Sequence, residues 1–148
     1  MIFITGPLYS GKKTFAARLL HCTEQQLSQY AVWDVQQLAA DCASPDDLAA
    51  LADRLAAYPV VIATEVGGGV VPVDEAQRAA REAAGRLACL LAARAETVVQ
   101  VWCGLPLVLK GTLPLRLPEA EQRRPALFRF LCRTSGVFPW IFFSSATA

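Results

Sequence analysis

The sequence predicts an α/β fold in which a mostly parallel sheet carries helices on both faces. Short apolar segments rich in β-branched residues alternate along the chain with longer segments of helical periodicity. That alternation is typical of parallel strands joined by right-handed crossovers. A glycine-containing loop, Gly6 to Lys12, directly follows the first apolar segment. A tight turn from a strand into a helix fits the same class of fold.

The first predicted strand covers residues 2–5, an apolar run that Gly-Pro ends at once. A helix is expected to begin near Lys12, because apolar residues recur on one side of it as far as Leu20. It fades in the polar stretch 23–29. The second predicted strand covers residues 30–33 and stops at Asp34.

The later elements have clear boundary signals. Ser44-Pro45 combines a cap residue with proline in the first helical turn, and Asp74 is a second cap residue. Proline is tolerated in an edge strand, which accommodates Pro106. The predicted elements are a helix at 45–57, a buried strand at 60–64, a helix from 74 to about 95, a strand at 97–102 and a short edge strand at 105–110.

Composition limits the function classes. The chain has 148 residues, of which 54% are hydrophobic, and a net charge of +1. This size favours a single domain, and the charge provides no basic field for nucleic acid. The five cysteines are odd in number and form no C-x-x-C pair, so we expect reduced thiols. With no signal peptide and no membrane-spanning run, the expected location is cytoplasmic.

We expect a nucleotide-binding domain at residues 1–111, followed by a carboxy-terminal extension at 112–148 that the sequence does not assign to the fold. The reason for the first expectation is the pattern G-x-x-x-x-G-K, in which glycines let the backbone wrap around phosphates. The predicted nucleotide-binding residues are Gly6, Pro7, Leu8, Tyr9, Ser10, Gly11, Lys12, Lys13 and Thr14. The ligand would be ATP or GTP, with the Lys12 ammonium on its β and γ phosphates.

Magnesium is the expected companion of the nucleotide, yet the loop departs from the usual pattern at residue 13. That position normally holds a serine or threonine that binds the ion, and here it is Lys13. Thr14, one residue further along the helix, is rotated by about 100° from that position, so its hydroxyl is not expected to reach the same ion. Asp34, expected at the end of a strand beside the loop, is the candidate metal ligand and catalytic carboxylate, although a helix cap is an equal alternative.

Two further sets of charged residues are candidates for the site. Glu65 follows the third predicted strand and is the candidate group that orients or deprotonates an acceptor hydroxyl, with a hydrogen-bonding role in the adjacent glycine-rich loop as the alternative. Arg78, Arg81 and Arg86 lie close together on the long helix and could contact phosphates. An ordinary solvated helix face is the preferred interpretation of these arginines.

Three segments resemble a known family. They are Thr64 to Pro72 (T-E-V-G-G-G-V-V-P), Arg81 with Gly85-Arg86-Leu87, and Gly104 to Lys110 (G-L-P-L-V-L-K). Together with the amino-terminal loop they resemble the bifunctional adenosylcobinamide kinase / adenosylcobinamide-phosphate guanylyltransferase family of cobalamin biosynthesis. The resemblance covers roughly residues 1 to 111.

The resemblance implies a RecA-like P-loop NTPase domain, often a homotrimer. It implies a nucleotide-dependent kinase that phosphorylates the aminopropanol hydroxyl of a corrinoid substrate, adenosylcobinamide, followed by GMP transfer through a guanylylated histidine. Lys12, Asp34 and Glu65 would be the catalytic residues, with Asp34 also binding Mg²⁺. Members usually carry an extra segment before the strand that ends in the acid, and their histidine lies inside it.

That extra segment is missing between the first predicted helix and Tyr30, and His21 does not match the guanylylated position. We therefore expect kinase activity without guanylyl transfer by the family mechanism. The alternative is a non-catalytic nucleotide- or corrinoid-binding relative, which Lys13 would also fit. An unrelated small-molecule kinase would explain the first loop but not the segment from Glu65 to Pro72.

Overall fold

The computed structural model of the protein describes residues 1–42 and 44–113. A single five-stranded sheet has the strand order β2-β3-β1-β4-β5. The first four strands are parallel, and β5 pairs antiparallel with β4. The strands are β1 (Ile2–Thr5), β2 (Ala31–Val32), β3 (Val60–Ile62), β4 (Thr97–Trp102) and β5 (Leu105–Lys110).

The connections between parallel strands are helical. The helices are α1 (Lys12–Leu19), α2 (Glu24–Leu27), α3 (Pro45–Leu55) and α4 (Glu75–Arg94), with a 3-10 helix at Val35–Asp41. Ser44 caps α3 through a reciprocal pair of bonds with Asp47, and the Asp74 carboxylate accepts from the amide of Gln77 at 2.8 Å. The predicted cap residues of both helices are therefore confirmed.

Helices cover both faces of the sheet, because alternate strand residues enter two separate cores. On one face, Phe3 packs with side chains of α3, α4 and the 3-10 helix. On the other face, Ile2 and Ile4 pack with Phe15 of α1 and Leu27 of α2. The predicted α/β class, with a mostly parallel sheet between helices, is confirmed. The P-loop and RecA-like assignments stay predictions.

Strand order determines which loops meet at the carboxyl edge of the sheet. β1 is central, with Ile4 paired to Ile62 of β3 and to Val99 of β4. The chain after β1 therefore leaves the sheet between the ends of β3 and β4. The sequence predicts that the strand ending before Asp34 lies beside the Gly6–Lys12 loop. This prediction is wrong, because β3 lies between that strand, β2, and β1, the strand that the loop follows.

Two short elements were not expected from the sequence. α2 forms within the polar stretch, where Thr23 and Gln26 make a capping box. The 3-10 helix begins directly after Asp34, whose own φ of 57° is left-handed. The edge strand at 105–110 is confirmed, and its six residues are all exposed. The predicted carboxy-terminal extension lies, from residue 114 onward, outside the described residues.

Free thiols occur at Cys22, Cys42, Cys89 and Cys103, as expected, and Cys132 lies outside the described residues. Burial raises the pKa of the Cys22 and Cys42 thiols, which keeps them protonated and unreactive near neutral pH. None of the helices in the described part of the chain has the length and apolar character that crossing a bilayer requires.

Candidate functional site

The loop between β1 and α1 contains backbone angles of the kind found in anion-binding loops. Gly6, Tyr9 and Gly11 have positive φ values of 147°, 59° and 86°. Backbones that alternate between right- and left-handed conformations turn successive amides toward one point. Within residues 1–42 and 44–113, the amides of Leu8, Tyr9 and Gly11 donate to no other group. These three donors are therefore free to bind an anion.

The remaining loop positions support that conformation. The Ser10 amide donates to the Pro7 carbonyl at 3.3 Å, which closes a turn inside the loop. The side chains of Leu8 and Tyr9 are exposed, whereas Ser10 is buried. Of the predicted loop positions, Pro7 and Ser10 thus fix the turn, and Leu8 and Tyr9 contribute their backbones.

Lys12 is folded back into the loop. Its ammonium donates to the Gly6 carbonyl at 3.0 Å, to the Pro7 carbonyl, and at 3.4 Å to the Ser10 hydroxyl. The side chain is buried, and this burial lowers the pKa of Lys12, while the Asp34 carboxylate opposes the shift. A desolvated ammonium held only by neutral oxygens can exchange them for a phosphate, a stronger acceptor.

Two segments that carry the family resemblance hold the loop from opposite sides. The Glu65 amide donates to the Gly6 carbonyl at 2.9 Å, and the Gly104 amide donates to the Ser10 carbonyl at 2.9 Å. Gly104 belongs to the tight turn between β4 and β5 and has a φ of 78°. A side chain at Gly11 would come within 3.3 Å of the Gly104 Cα atom. The loop is therefore clamped between β3 and β4.

The residues predicted to bind magnesium do not form the usual donor set. Thr14 donates its hydroxyl to the Glu24 carboxylate at 2.8 Å, away from the loop. The Lys13 ammonium lies 3.8 Å from the Asp34 carboxylate and 4.8 Å from the centre of the Trp33 ring. In the described part of the chain, no three His, Cys, Asp or Glu side chains are grouped to hold a metal ion. The magnesium role of Asp34 stays a prediction.

The Glu65 side chain is exposed and folds over the glycine-rich loop that follows it. A Cβ atom at Gly67 would lie 2.6 Å from a Glu65 carboxylate oxygen, and one at Gly68 would lie 3.2 Å away. A Cβ atom at Gly67 would therefore displace this flexible carboxylate from its present position. Gly67 and Gly68 thus leave space for the Glu65 carboxylate where it now lies, after the end of β3.

Arg81 holds this glycine-rich loop from α4. Its guanidinium donates to the carbonyls of Gly69 and Val70, each at 2.8 Å, and to the carbonyl of Gly67. The expectation of a merely solvated helix face is wrong for Arg81. It holds for Arg86, which forms an exposed ion pair with Glu82.

Replacing Arg81 with alanine is expected to loosen this glycine-rich loop. Cleavage within residues 67–70 by a non-specific protease should accelerate by about three- to tenfold, because hydrogen bonds from a charged donor are lost at an exposed site. Limited proteolysis followed by mass spectrometry measures this effect. Arg86→Ala is the matched control on the same helix, and an equal acceleration in both variants would contradict the positioning role of Arg81.

A cavity of about 110 Å³ lies under the glycine-rich loop that follows Glu65, between the end of β3, the 3-10 helix and α4. Its lining includes Thr5, Gln36, Thr64 and Glu65. The Gln36 side-chain carbonyl accepts from the Thr64 amide at 2.9 Å, so Gln36 fixes the end of β3. The cavity therefore extends from Glu65, the candidate proton acceptor, to Thr5, the residue immediately before the Gly6–Lys12 loop.

The structure brings Lys12, Lys13, Asp34 and Glu65 to one edge of the sheet, as the sequence predicts. Sequence reasoning missed Trp33 and Gln36, which neither a motif nor a charge pattern marks. Gly104 lies in a segment that carries the family resemblance, and the resemblance by itself indicates no role for it.

Comparison with known proteins identifies the family. The family model described as cobinamide kinase / cobinamide phosphate guanyltransferase matches residues 27–109. That match covers more than half of the chain and includes both clamping residues, Glu65 and Gly104, although it begins after the glycine loop. No curated protein matches the chain. The chain therefore belongs to the family of cobinamide kinases and cobinamide phosphate guanyltransferases, enzymes that use nucleoside triphosphates, and it is a short member.

Proposed function

We propose that the protein is a nucleoside-triphosphate-dependent kinase that phosphorylates the aminopropanol hydroxyl of adenosylcobinamide. ATP or GTP is the phosphoryl donor, and guanylyl transfer is absent. The homotrimer implied by the family resemblance and the cytoplasmic location expected from the sequence stay predictions.

One observation carries this proposal, namely the clamp on the glycine loop. The amides of Glu65 and Gly104, both inside the family match, bond to the carbonyls of Gly6 and Ser10 in the loop. A loop with free amides and a buried ammonium is thus fixed to the part of the chain that belongs to a nucleotide-using family. This physical connection supports a common site for the donor and the acceptor.

The reaction needs mainly positioning and charge neutralisation. On nucleotide binding, the Lys12 ammonium leaves the Gly6 and Pro7 carbonyls for the phosphate oxygens. The acceptor hydroxyl oxygen then bonds to the γ-phosphorus while the bond from that phosphorus to the β–γ bridging oxygen breaks. The hydroxyl proton passes to the Glu65 carboxylate, and the nucleoside diphosphate leaves.

The cavity beside Glu65 suits only a small part of the acceptor. At about 110 Å³ it can receive the aminopropanol arm, whereas a corrin ring must remain outside. Val70, Val71 and Val73 are exposed in the neighbouring loop, with relative exposures of 94%, 67% and 95%. We propose that the ring lies over these apolar side chains, which orients its arm toward Glu65.

The position of His21 supports the absence of guanylyl transfer. His21 is the single histidine of the chain and follows the end of α1 that is distant from the glycine loop. A helix rises 1.5 Å per residue, so the eight residues of α1 place about 12 Å between the loop and the turn that carries His21. This separation argues against attack by His21 on phosphates held by the loop.

A product assay tests the proposal. Purified protein is incubated with adenosylcobinamide and either ATP or GTP, and both the corrinoid and the protein are analysed by mass spectrometry. We expect a corrinoid that has gained one phosphate and a protein of unchanged mass. Nucleotide binding without product would favour the non-catalytic alternative, and GMP attached to the protein would contradict the absence of guanylyl transfer.

Glu65→Gln tests whether the Glu65 carboxylate accepts the proton of the substrate hydroxyl. We expect turnover to fall by a factor of roughly 10² to 10⁴, the usual contribution of a general base, with nucleotide affinity little changed. Glu82→Gln, which alters an exposed ion pair on α4, is the matched control. Turnover in Glu65→Gln equal to that of the control would exclude Glu65 as the proton acceptor.

A further inference from the structure

The residue after Lys12 occupies the place where glycine loops of this pattern hold magnesium. A serine or threonine hydroxyl at that position is a ligand of the ion in such loops. Here the position is Lys13, the second residue of α1. Its ammonium therefore lies beside Asp34, at the carboxyl edge of the sheet.

The Lys13 ammonium is held in a defined position by two groups from one segment. The Asp34 carboxylate is 3.8 Å away, and the face of the Trp33 ring is 4.8 Å from the ammonium. The two side chains of the ion pair are partly exposed, 48% for Lys13 and 39% for Asp34. An incoming anion can therefore reach the ammonium, while the carboxylate and the ring restrict where it lies.

The hydroxyl of Thr14 does not compensate for the lost ligand. Thr14 is bonded to Glu24 at 2.8 Å, on the side of α1 that faces α2. Asp34 is itself paired with Lys13, so a magnesium ion at that carboxylate would have to displace an ammonium of like charge. The residues present at this position do not fit a magnesium site.

We propose that the Lys13 ammonium, positioned by Asp34 and Trp33, takes the place of magnesium in neutralising the phosphates of the bound nucleotide. The nucleotide then binds in the absence of a metal ion about as well as in its presence. Lys13 adds one positive charge to that of Lys12, which loops of this pattern carry together with the Mg²⁺ ion. A metal-free triphosphate also carries more negative charge than its magnesium complex, which strengthens its attraction to the two ammonium groups.

This inference rests on the proposed nucleotide site but can fail independently of it. If Lys13 and Asp34 form only an exposed surface pair, Lys13 contributes little and the nucleotide requires magnesium as usual. If Lys13 replaces the ion, removing magnesium has little effect until Lys13 itself is removed.

The test is calorimetric titration of the full chain with ATP and with GTP, in EDTA and in millimolar magnesium chloride. For the unaltered protein we expect dissociation constants in the two conditions within about threefold of each other. For Lys13→Ser we expect binding in EDTA to weaken by about tenfold or more, and magnesium to recover much of that loss. Serine restores the usual hydroxyl, so this variant converts a metal-independent site into a metal-dependent one.

Lys110→Ser is the matched control, because it removes the same charge at a lysine whose ammonium bonds to carbonyls at the end of α4. It should bind nucleotide as the unaltered protein does in both conditions. Circular dichroism of each variant verifies that α1 and the sheet still form.

The outcomes separate the two proposals. Binding by the unaltered protein that requires magnesium, or Lys13→Ser behaving like Lys110→Ser, would overturn the role of Lys13 and leave the nucleotide site intact. An absence of nucleotide binding in both conditions would instead overturn the proposed function, and the role of Lys13 with it.

Discussion

Replacing Lys12 with alanine is expected to weaken nucleotide binding by about 30- to 150-fold, since charge-assisted hydrogen bonds worth about 2–3 kcal/mol are lost. The ammonium is buried and already surrounded by the carbonyls of Gly6 and Pro7 and the Ser10 hydroxyl. Its charge is therefore available inside the loop where the phosphates would lie. Calorimetric titration with ATP and GTP measures the loss, and phosphorylation of the corrinoid should disappear with it.

The Lys12 effect must be separated from simple loosening of the loop. Lys12→Met keeps most of the side-chain volume and removes the charge, so it should lose binding as Lys12→Ala does. Lys110→Met carries the same change at the exposed edge strand and should bind normally. Nucleotide affinity preserved in Lys12→Met would mean that the ammonium does not contact the phosphates.

Replacing Gly6 with alanine is expected to destabilise the protein by about 2–4 kcal/mol, the range for backbone strain and overpacking at a buried position. A Cβ atom there would lie 2.2 Å from the carbonyl oxygen of Val101, and Gly6 has a φ of 147°. β1 and β4 would have to separate, because the obstacle is backbone. Urea unfolding followed by circular dichroism measures the change in the free energy of unfolding.

Gly85→Ala is the control for this measurement. Gly85 lies inside α4, and a Cβ atom at that position meets nothing within 4 Å. The change should stabilise the protein by up to about 1 kcal/mol, the difference in helix propensity between the two residues. Equal effects at Gly6 and Gly85 would show that the close approach of β4 to the loop is not present in solution.

The sequence was sufficient for the main elements of the fold, because their signals are local. The caps Ser44 and Asp74 and the apolar strands each depend on neighbours along the chain. Strand order depends instead on packing between distant segments, and the sequence did not reveal that β3 separates β2 from β1. α2 escaped detection because four residues are too few for a periodic pattern.

The candidate site likewise combines residues that local sequence signals indicate with contacts that the sequence does not indicate. The glycine loop and the two carboxylates were found from motif and position, since each stands at the end of a strand. The contacts that decide what these residues can do are between distant segments: Gly104 with Ser10, Arg81 with the glycine-rich loop, and Lys13 with Trp33 and Asp34. A single sequence carries no signal for such pairs.

The central claim is that the clamped loop receives the nucleotide's phosphates, and a crystal structure with a non-hydrolysable triphosphate analogue tests it most directly. We expect the phosphates within the loop, facing the amides of Leu8, Tyr9 and Gly11. The Lys12 ammonium should have moved from the Gly6 and Pro7 carbonyls to a phosphate oxygen. A nucleotide bound elsewhere, with Lys12 still bonded to those carbonyls, would contradict the claim.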